Sequence, residues 1–136
     1  MGDFTKLEVW KKAHELTVRI YERTARWPRH ELFGLTSQTR RAAASIAANI
    51  AEGCGRNSDA ELARYARTSL GSANELSYYV ILAHDLSYLD GAERDDLGHG
   101  VSRVRRMLSS LERVSALAAA RKKPSARRRS AVADSR

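Results

Sequence analysis

Apolar residues recur every three or four positions along residues 1 to 120, and no stretch shows the alternation of a half-buried strand. Such spacing lines one face of an α-helix with apolar side chains. Four stripes follow one another: Val9, Ala13, Leu16 and Ile20; Leu35, Thr39, Ala42, Ile46, Asn49 or Ile50, and Gly53; Leu62, Tyr65, Ser69, Ala73, Leu76, Val80 and Ala83; and Leu97, Val101, Val104, Leu108, Leu111, Val114, and Leu117 or Ala118. The sequence therefore predicts an all-α fold with four helices.

Residues typical of helix ends bound these stripes. The first helix is predicted from Leu7 to Arg26, and Thr36 is the candidate N-cap of the second. The segments Ser58-Asp59-Ala60-Glu61 and Asp90-Gly91-Ala92-Glu93 have the capping-box pattern, which marks the starts of the third and fourth helices. Because the connections are short, consecutive helices should be antiparallel. We expect an antiparallel up-down four-helix bundle.

Basic charge is concentrated at the C-terminal end. The chain of 136 residues has 24 Lys and Arg against 16 Asp and Glu, a net charge of +8, and residues 121–136 hold seven of the basic residues and one acid. Val132 is the only large apolar residue in this segment, so the segment cannot bury enough surface to fold. We predict a four-helix bundle over residues 1–120 and a disordered basic tail over residues 121–136. The charge favours polyanionic partners.

Two of the predicted helices are apolar on more faces than the interior of one bundle can cover. Residues 78–82 of the third helix are apolar without a break, and alanines surround the second helix. These alanines are Ala42, Ala43, Ala44, Ala47, Ala48 and Ala51. A helix that is apolar all round is expected to be buried all round. This predicts self-association or a dedicated partner; in the alternative, a monomer exposes a few alanines and one tyrosine.

Four segments of the chain match the motifs of a known family. They are Phe4-x-x-Leu7-x-Val9-Trp10-x-x-Ala13, Pro28-x-x-Glu31-x-Phe33-Gly34-Leu35-x-x-Gln38-x-Arg40-Arg41-Ala42, Ser45-Ile46-x-x-Asn49-Ile50-Ala51-Glu52-Gly53 and Gly71-Ser72-x-x-Glu75-Leu76. With these motifs the chain resembles the bacterial four-helix bundle proteins of the 23S rRNA intervening-sequence family. The resemblance covers roughly residues 4 to 115, and its most specific part runs from Gln38 to Gly53.

The resemblance carries expectations about assembly and partners. It implies a ring-shaped homopentamer. It also implies kinship with the accessory protein of diversity-generating retroelements, a basic pentameric bundle that binds a reverse transcriptase and nucleic acid. The expected partners are therefore other copies of the chain, nucleic acid, RNA in particular, and a reverse transcriptase or another protein.

The candidate nucleic-acid contacts are basic residues of the bundle and of the tail. In the bundle they are Arg40, Arg41 and Arg56; in the tail they are Arg121, Lys122, Lys123, Arg127, Arg128 and Arg129. Symmetry would repeat the bundle arginines around a ring and strengthen the local field. Because Arg40 and Arg41 are adjacent, they diverge by about 100° around the helix. In the alternative, one of them forms a structural ion pair with Glu31 or Glu52.

Two polar residues of the second helix are assigned structural roles. Asn49 lies between the stripe positions Ile46 and Gly53 and is predicted to be buried. A buried amide must be hydrogen-bonded, so we interpret Asn49 as a contact that sets the register between helices. Glu52 is the second structural polar residue.

The sequence does not predict an enzyme. Di-iron sites in bundles need Glu-x-x-His on two helices, whereas this chain has Asp96-x-x-His99, once. Cys54 is the single cysteine and has no identifiable base near it in the sequence. The segment Gly53-x-Gly55 lacks the third glycine and the preceding strand of a nucleotide-binding fingerprint. We predict no catalytic residue, metal ion or cofactor.

The longest apolar stretches are far too short for a membrane span. Tyr78 to Ala83 is one example, against the roughly 20 residues that a membrane helix needs, and no signal peptide opens the chain. We expect a cytoplasmic protein without a membrane partner.

These features together indicate a non-catalytic, oligomeric helical bundle that binds RNA through a basic surface. The alternative is a structural or scaffolding oligomer that does not bind nucleic acid and whose charge serves solubility. Binding of RNA that weakens with salt would distinguish the first function from the second.

Overall fold

The protein is described by a computed structural model, which covers the backbone of residues 2–134 and the side chains of residues 2–122. Four long helices make up the fold, and the part of the chain described contains no strand. They are α1 (Glu8–Thr24), α2 (Leu35–Gly55), α3 (Asp59–Asp85) and α4 (Gly91–Asp134); short 3-10 helices at Phe4–Lys6 and Arg29–Glu31 precede α1 and α2. The all-α prediction is confirmed.

One hydrophobic core lies between the four helices. Each helix packs against two others, since α1 contacts α2, α2 contacts α3, α3 contacts α4, and α4 contacts α1. The largest side chains of the core are inaccessible to solvent: Leu16 and Ile20 of α1, Ile46 and Ile50 of α2, Leu62 and Leu76 of α3, and Leu97 and Leu108 of α4. The arrangement is a four-helix bundle, and its core consists largely of the predicted stripes.

The predicted capping box of α4 forms completely, and that of α3 forms in part. The Ser58 hydroxyl accepts a hydrogen bond from the Glu61 amide at 3.3 Å. At the start of α4, Asp90 Oδ1 accepts from the Glu93 amide at 2.8 Å, and Glu93 Oε1 accepts from the Asp90 amide at 3.1 Å. Each box satisfies amides that the first turn of a helix leaves without a partner.

Thr36 is not the N-cap of α2, contrary to the prediction. It lies inside the helix and is buried, whereas Gly34 holds the N-cap position without a side-chain cap. The Glu31 carboxylate caps the start of α2 instead, because its Oε1 accepts a hydrogen bond from the Leu35 amide at 3.3 Å. Its other oxygen accepts from the Tyr88 hydroxyl at 2.9 Å, which ties the start of α2 to the turn between α3 and α4.

Helices α2 and α3 approach closely at Gly53, which has no side chain to separate them from each other. A Cβ atom added at Gly53 would lie 2.9 Å from Tyr65 Cβ, closer than such atoms come in folded proteins. Farther along, the buried Ser69 hydroxyl donates to the Ile46 carbonyl at 2.9 Å. The alanines of α2 are not buried all round in one chain, since Ala48 is exposed.

The fourth stripe leaves the core before its predicted end. Leu108 is fully buried, but Val114 is 59% exposed and Leu117 is 51% exposed. Ser115, seven residues after Leu108, takes the buried position instead. The core face of α4 thus continues through a serine, which a pattern of apolar residues does not reveal.

Helix α4 also extends beyond the boundary predicted near Ala120. Its backbone is helical as far as Asp134, where a flexible tail is predicted from Arg121 onward. Alanine, arginine and lysine have high helix propensity, and a helix that already exists extends without a new nucleation step. The division into a bundle and a basic tail stays a prediction, because the side chains from Lys123 onward and residues 135–136 lie outside the described residues.

Candidate nucleic-acid interface

Arg40 is held between α1 and α2. Its Nε donates to the Thr24 hydroxyl at 2.8 Å, and its guanidinium carbon lies 4.7 Å from the centroid of the Tyr21 ring. The residue is half-buried. These contacts give Arg40 a role in joining two helices, through a hydroxyl and a ring rather than through the predicted carboxylate.

Arg41 points away from these contacts and is exposed. Among the residues with described side chains neither Arg41 nor Arg40 forms an ion pair, so the alternative that one of them pairs with Glu31 or Glu52 is wrong. It lies near Tyr79, whose pKa is raised by partial burial and by Glu75 while the charge of Arg41 opposes the shift. Arg41 remains available to an external anion.

Arg56 follows the last residue of α2 and is bound to Glu52. Its Nη2 lies 2.7 Å from Glu52 Oε1, its Nε lies 3.1 Å from the same oxygen, and Nη2 also donates to the Tyr65 hydroxyl at 3.1 Å. This hydrogen-bonded pair raises the pKa of the Arg56 guanidinium. Since Arg56 lies about 22 Å along α2 from Arg41, the predicted bundle arginines do not form one cluster within a chain.

The predicted tail contacts are described only at their start. Arg121 is exposed. Lys122 Nζ lies 2.5 Å from Asp59 Oδ2, in the first turn of α3. Four further candidates, Lys123, Arg127, Arg128 and Arg129, lie outside the residues with described side chains.

Asn49 is half-buried rather than buried, and its contacts are within α2. Its Nδ2 donates to the Ser45 carbonyl at 2.8 Å and to the Ser45 hydroxyl at 3.0 Å. The Ser45 hydroxyl lies 2.9 Å from the Ser72 hydroxyl of α3, so Asn49 reaches α3 only through Ser45. The predicted burial is wrong, because Ile46 and Ile50 occupy the core face and Asn49 lies at its edge.

A groove between α3 and α4 brings together arginines that the sequence analysis missed. It has a volume of about 590 Å³. Its lining residues are Leu70 and Asn74 from α3 and Ser102, Arg105, Arg106, Ser109, Ser110 and Arg113 from α4. Ser102, Arg106, Ser109 and Arg113 recur at intervals of three and four, which places them on one face of α4. We call this feature the arginine groove.

No carboxylate among the described side chains neutralises the arginine groove. Arg105, Arg106 and Arg113 are exposed, and none forms an ion pair with any residue whose side chain is described. The only acid between residues 97 and 120 is Glu112, and its Oε1 already accepts from Arg67 at 2.8 Å. The sequence does contain one indication of this basic groove: the segment from Arg103 to Arg113 has four arginines and one acid.

Comparison with known proteins assigns the fold to a family. The model of the 23S rRNA-intervening sequence protein family matches residues 5–110. The chain belongs to this family. A crystal structure of a protein of unknown function from the S23 ribosomal protein family of Bacteroides thetaiotaomicron is similar, with a TM-score of 0.71 and 25% identity over 76% of this chain and 97% of that one. No curated protein sequence matches the chain.

The family match confirms the resemblance. Some of the candidate RNA contacts lie within the matched residues, and the others lie outside them. Arg40, Arg41 and Arg56 lie within the matched residues, as do Arg105 and Arg106 of the arginine groove, and Arg113 follows three residues after the match ends. The candidate contacts from Arg121 onward lie outside the match.

Other chemistry has little support among the described residues. Cys54 is buried, and desolvation raises the pKa of its thiol, which disfavours the reactive thiolate. Asp96 lies near His99 in a surface pocket, but its carboxylate faces Arg19 and Arg23 at 3.0 and 3.6 Å. Within residues 2–122 no three His, Cys, Asp or Glu side chains come together as a metal ion requires.

None of the helices in the described region has the length and apolarity needed to cross a membrane.

Proposed function

We propose that this chain is a non-catalytic, homo-oligomeric helical bundle that binds RNA through a basic surface. The observation that carries the proposal is the set of exposed arginines that lack a carboxylate partner among the described side chains. They are Arg29, Arg41, Arg103, Arg105, Arg106, Arg113 and Arg121. An unpaired guanidinium is free to donate two parallel hydrogen bonds to a phosphate. The family description mentions 23S rRNA but no binding partner, so the arginines carry the proposal.

The proposal includes an up-down order of the helices. Contacts between α2 and α3 support it, since Gly53 faces Leu62, Ile46 faces Ser69 and Gln38 faces Tyr79. The residue numbers rise along one helix as they fall along the other, as in antiparallel neighbours. Between α1 and α4, Arg19 faces Asp96 and Arg26 faces Glu93 in the same opposed order.

The proposal also includes a ring-shaped homo-oligomer, with the pentamer that the resemblance implies. Its physical support is apolar surface that one chain leaves uncovered. Tyr78 is 57% exposed and lies three residues from the exposed Ile81 on α3, while Ala48 is exposed on α2. A second copy that covered this surface would remove apolar area from water at about 25 cal/mol per Å². Symmetry would also bring the unpaired arginines of several chains onto one particle.

The alternative function is that of a protein scaffold that does not bind nucleic acid. One observation favours it: Phe33 is 94% exposed, and its neighbour Leu32 is also exposed, in the turn between α1 and α2. Aromatic side chains of this kind anchor protein interfaces. A reverse transcriptase or another protein could be the partner at this turn.

RNA binding is tested with the full-length protein and a labelled RNA across a range of salt concentrations. We expect the logarithm of the association constant to fall linearly with the logarithm of the salt concentration, by about 0.7 per phosphate contact on single strands. A protein that binds no RNA at low salt would contradict the proposal and leave the scaffold function.

The oligomer is tested by sedimentation, in which the pentamer has five times the chain mass of 15.2 kDa. We expect Ala48→Glu to reduce the mass, because it places a charge in the contact between subunits. Ala60→Glu is the matched control, since Ala60 is exposed in the first turn of α3, where an acid is favourable. A wild-type protein that sediments as a single chain at micromolar concentration would contradict the oligomer.

A further inference from the structure

The arginine groove concentrates positive charge on a surface that no described carboxylate neutralises. Each of its three arginines is exposed, and the nearest acid in the sequence, Glu112, is bound to Arg67 instead. Arg106 Nη1 lies 3.4 Å from the Ser102 hydroxyl, which leaves most of its donors free. Guanidinium groups without a carboxylate partner would be stabilised by an external anion.

The groove presents hydrogen-bond donors and no aromatic ring among its described lining residues. Three serine hydroxyls and the Asn74 amide line it together with the arginines, and Leu70 is its apolar lining residue. Arginine, serine and asparagine are residues that contact nucleic-acid phosphates, whereas bases are stacked on aromatic side chains. The chemistry of the groove therefore fits a phosphate backbone rather than bases.

The spacing of the arginines fits a polymer. Arg106 and Arg113 are seven residues apart, which is about 10 Å along a helix. The phosphates of one strand in double-stranded DNA advance by about 3.4 Å per nucleotide along the axis, which sets the scale for a nucleic-acid strand. The groove is thus long enough for about three successive phosphates, which a free phosphate or a mononucleotide would leave partly empty.

We infer that the arginine groove between α3 and α4 binds the phosphodiester backbone of RNA, with Arg105, Arg106 and Arg113 as the phosphate contacts. The inference rests on the proposed function and assigns it to one surface. It also predicts recognition with little dependence on base sequence, since the residues lining the groove offer no stacking platform. Arg40 and Arg56, which are bound within the chain, are not part of this surface.

The test compares two full-length variants that lose the same charge. The first carries Arg105→Gln, Arg106→Gln and Arg113→Gln. The control carries Lys6→Gln, Lys11→Gln and Arg64→Gln, three exposed residues outside the groove. Affinity for a labelled single-stranded RNA is measured against salt concentration, with circular dichroism as the measure of folding.

Removal of three phosphate-binding arginines should weaken binding by about 100-fold at 0.1 M salt and reduce the slope of the salt dependence by about 2. The control should weaken binding by less than about tenfold, because it removes only long-range attraction. If the wild-type protein binds RNA and the groove variant binds equally well while still folded, the inference is wrong and the proposed function stands. If the wild-type protein binds no RNA, the proposed function fails first.

Two further results would overturn the inference. Sedimentation of the groove variant should give the wild-type mass; a smaller particle would make the groove a contact between subunits. Unlabelled polyglutamate should compete with RNA far less well than unlabelled RNA of equal charge. Equal competition would show that the groove accepts carboxylates as readily as phosphates, as an acidic protein partner would require.

Discussion

Helix α4 packs against α1 on one side and α3 on the other, and arginines on the two sides have different surroundings. On the α1 side, Arg19 lies 3.0 Å from Asp96, while Arg23 and Arg26 lie 3.1 and 3.0 Å from Glu93. On the α3 side, Glu112 pairs with Arg67 at 2.8 Å, and no described carboxylate lines the arginine groove. The first turns of α4 supply the acids Glu93 and Asp96, and the groove arginines follow between residues 105 and 113.

This difference separates stability from binding. Ion pairs at a protein surface contribute about 0 to 1 kcal/mol each, and their charges are mutually neutralised. Arginines without an ion-pair partner add no such stabilisation to the folded state. Their charge is not neutralised within the chain, so it can attract an anionic ligand. We therefore expect substitutions on the α1 side to change the free energy of unfolding, and substitutions in the groove to change RNA affinity.

The largest expected effect comes from Gly100, where α1 crosses α4 closely. A Cβ atom there would lie 2.5 Å from Arg19 Nη2 and 3.0 Å from Leu16 Cδ1. Gly100→Val should lower the free energy of unfolding by about 2 kcal/mol, since it displaces Arg19 and crowds the core. Thermal or urea unfolding measures the change.

Gly98→Val is the control for this substitution. No described atom lies within 4 Å of a Cβ at Gly98, so the same valine should be nearly neutral there. Equal destabilisation by the two variants would mean that valine acts through the backbone and that the α1 side is not closely packed.

A smaller effect is expected at Glu93, which faces two arginines. Glu93→Gln should lower the free energy of unfolding by about 1 kcal/mol, because glutamine can still cap the helix but cannot pair with Arg23 and Arg26. The loss of stability should shrink at high salt. Urea unfolding at low and high salt provides the measurement.

Glu61→Gln is the matched substitution at the same position in the first turn of α3. Glu61 pairs with Arg64 alone, at 2.7 Å within α3, and such pairs contribute about 0.2 to 0.5 kcal/mol. If Glu61→Gln costs as much as Glu93→Gln, the pairs between α1 and α4 have no special weight.

The smallest effect is expected at Asn49, for which the sequence predicts a place in the core. Asn49→Ala should change the free energy of unfolding by less than about 0.5 kcal/mol, because the higher helix propensity of alanine offsets the removal of the hydrogen bonds to Ser45. The unfolding midpoint is the measurement. A destabilisation above about 1 kcal/mol would show that assembly buries the Asn49 amide.

Local features of the fold could be predicted from the sequence. Periodicity predicts the buried faces of Leu16, Ile46 and Leu97 correctly, and the capping boxes predict where α3 and α4 begin, because both signals are local. The predicted burial of Asn49 and Val114 is wrong, because the next residue in each case, Ile50 and Ser115, is the buried one. The position of the neighbouring helix decides which of two adjacent residues faces the core, and the sequence pattern does not give that position.

The site is less predictable than the fold for a related reason. Whether an arginine is neutralised depends on which residue another helix places beside it. Adjacent arginines such as Arg40 and Arg41 look alike in sequence, yet Arg40 binds Thr24 and Arg41 is exposed. The arginine groove is formed by two helices, and only the run of arginines in α4 indicates it in the sequence.

The central claim, that the bundle itself binds RNA, is tested most directly by removing residues 123–136. This truncation keeps Lys122, which contacts Asp59, and removes the basic residues whose side chains lie outside the described part. Circular dichroism and sedimentation would verify that the shortened protein is helical and assembled. Its affinity for RNA is then measured against salt.

We predict that the shortened protein still binds RNA, more weakly and with a flatter salt dependence, because the slope falls by about 0.7 for each phosphate that the protein no longer neutralises. Replacing Arg105, Arg106 and Arg113 with glutamine in the shortened protein should abolish the remaining binding. A truncated protein that is helical and assembled but binds no RNA would contradict the claim. The basic tail would then be the RNA-binding segment, and the bundle would only hold several tails together.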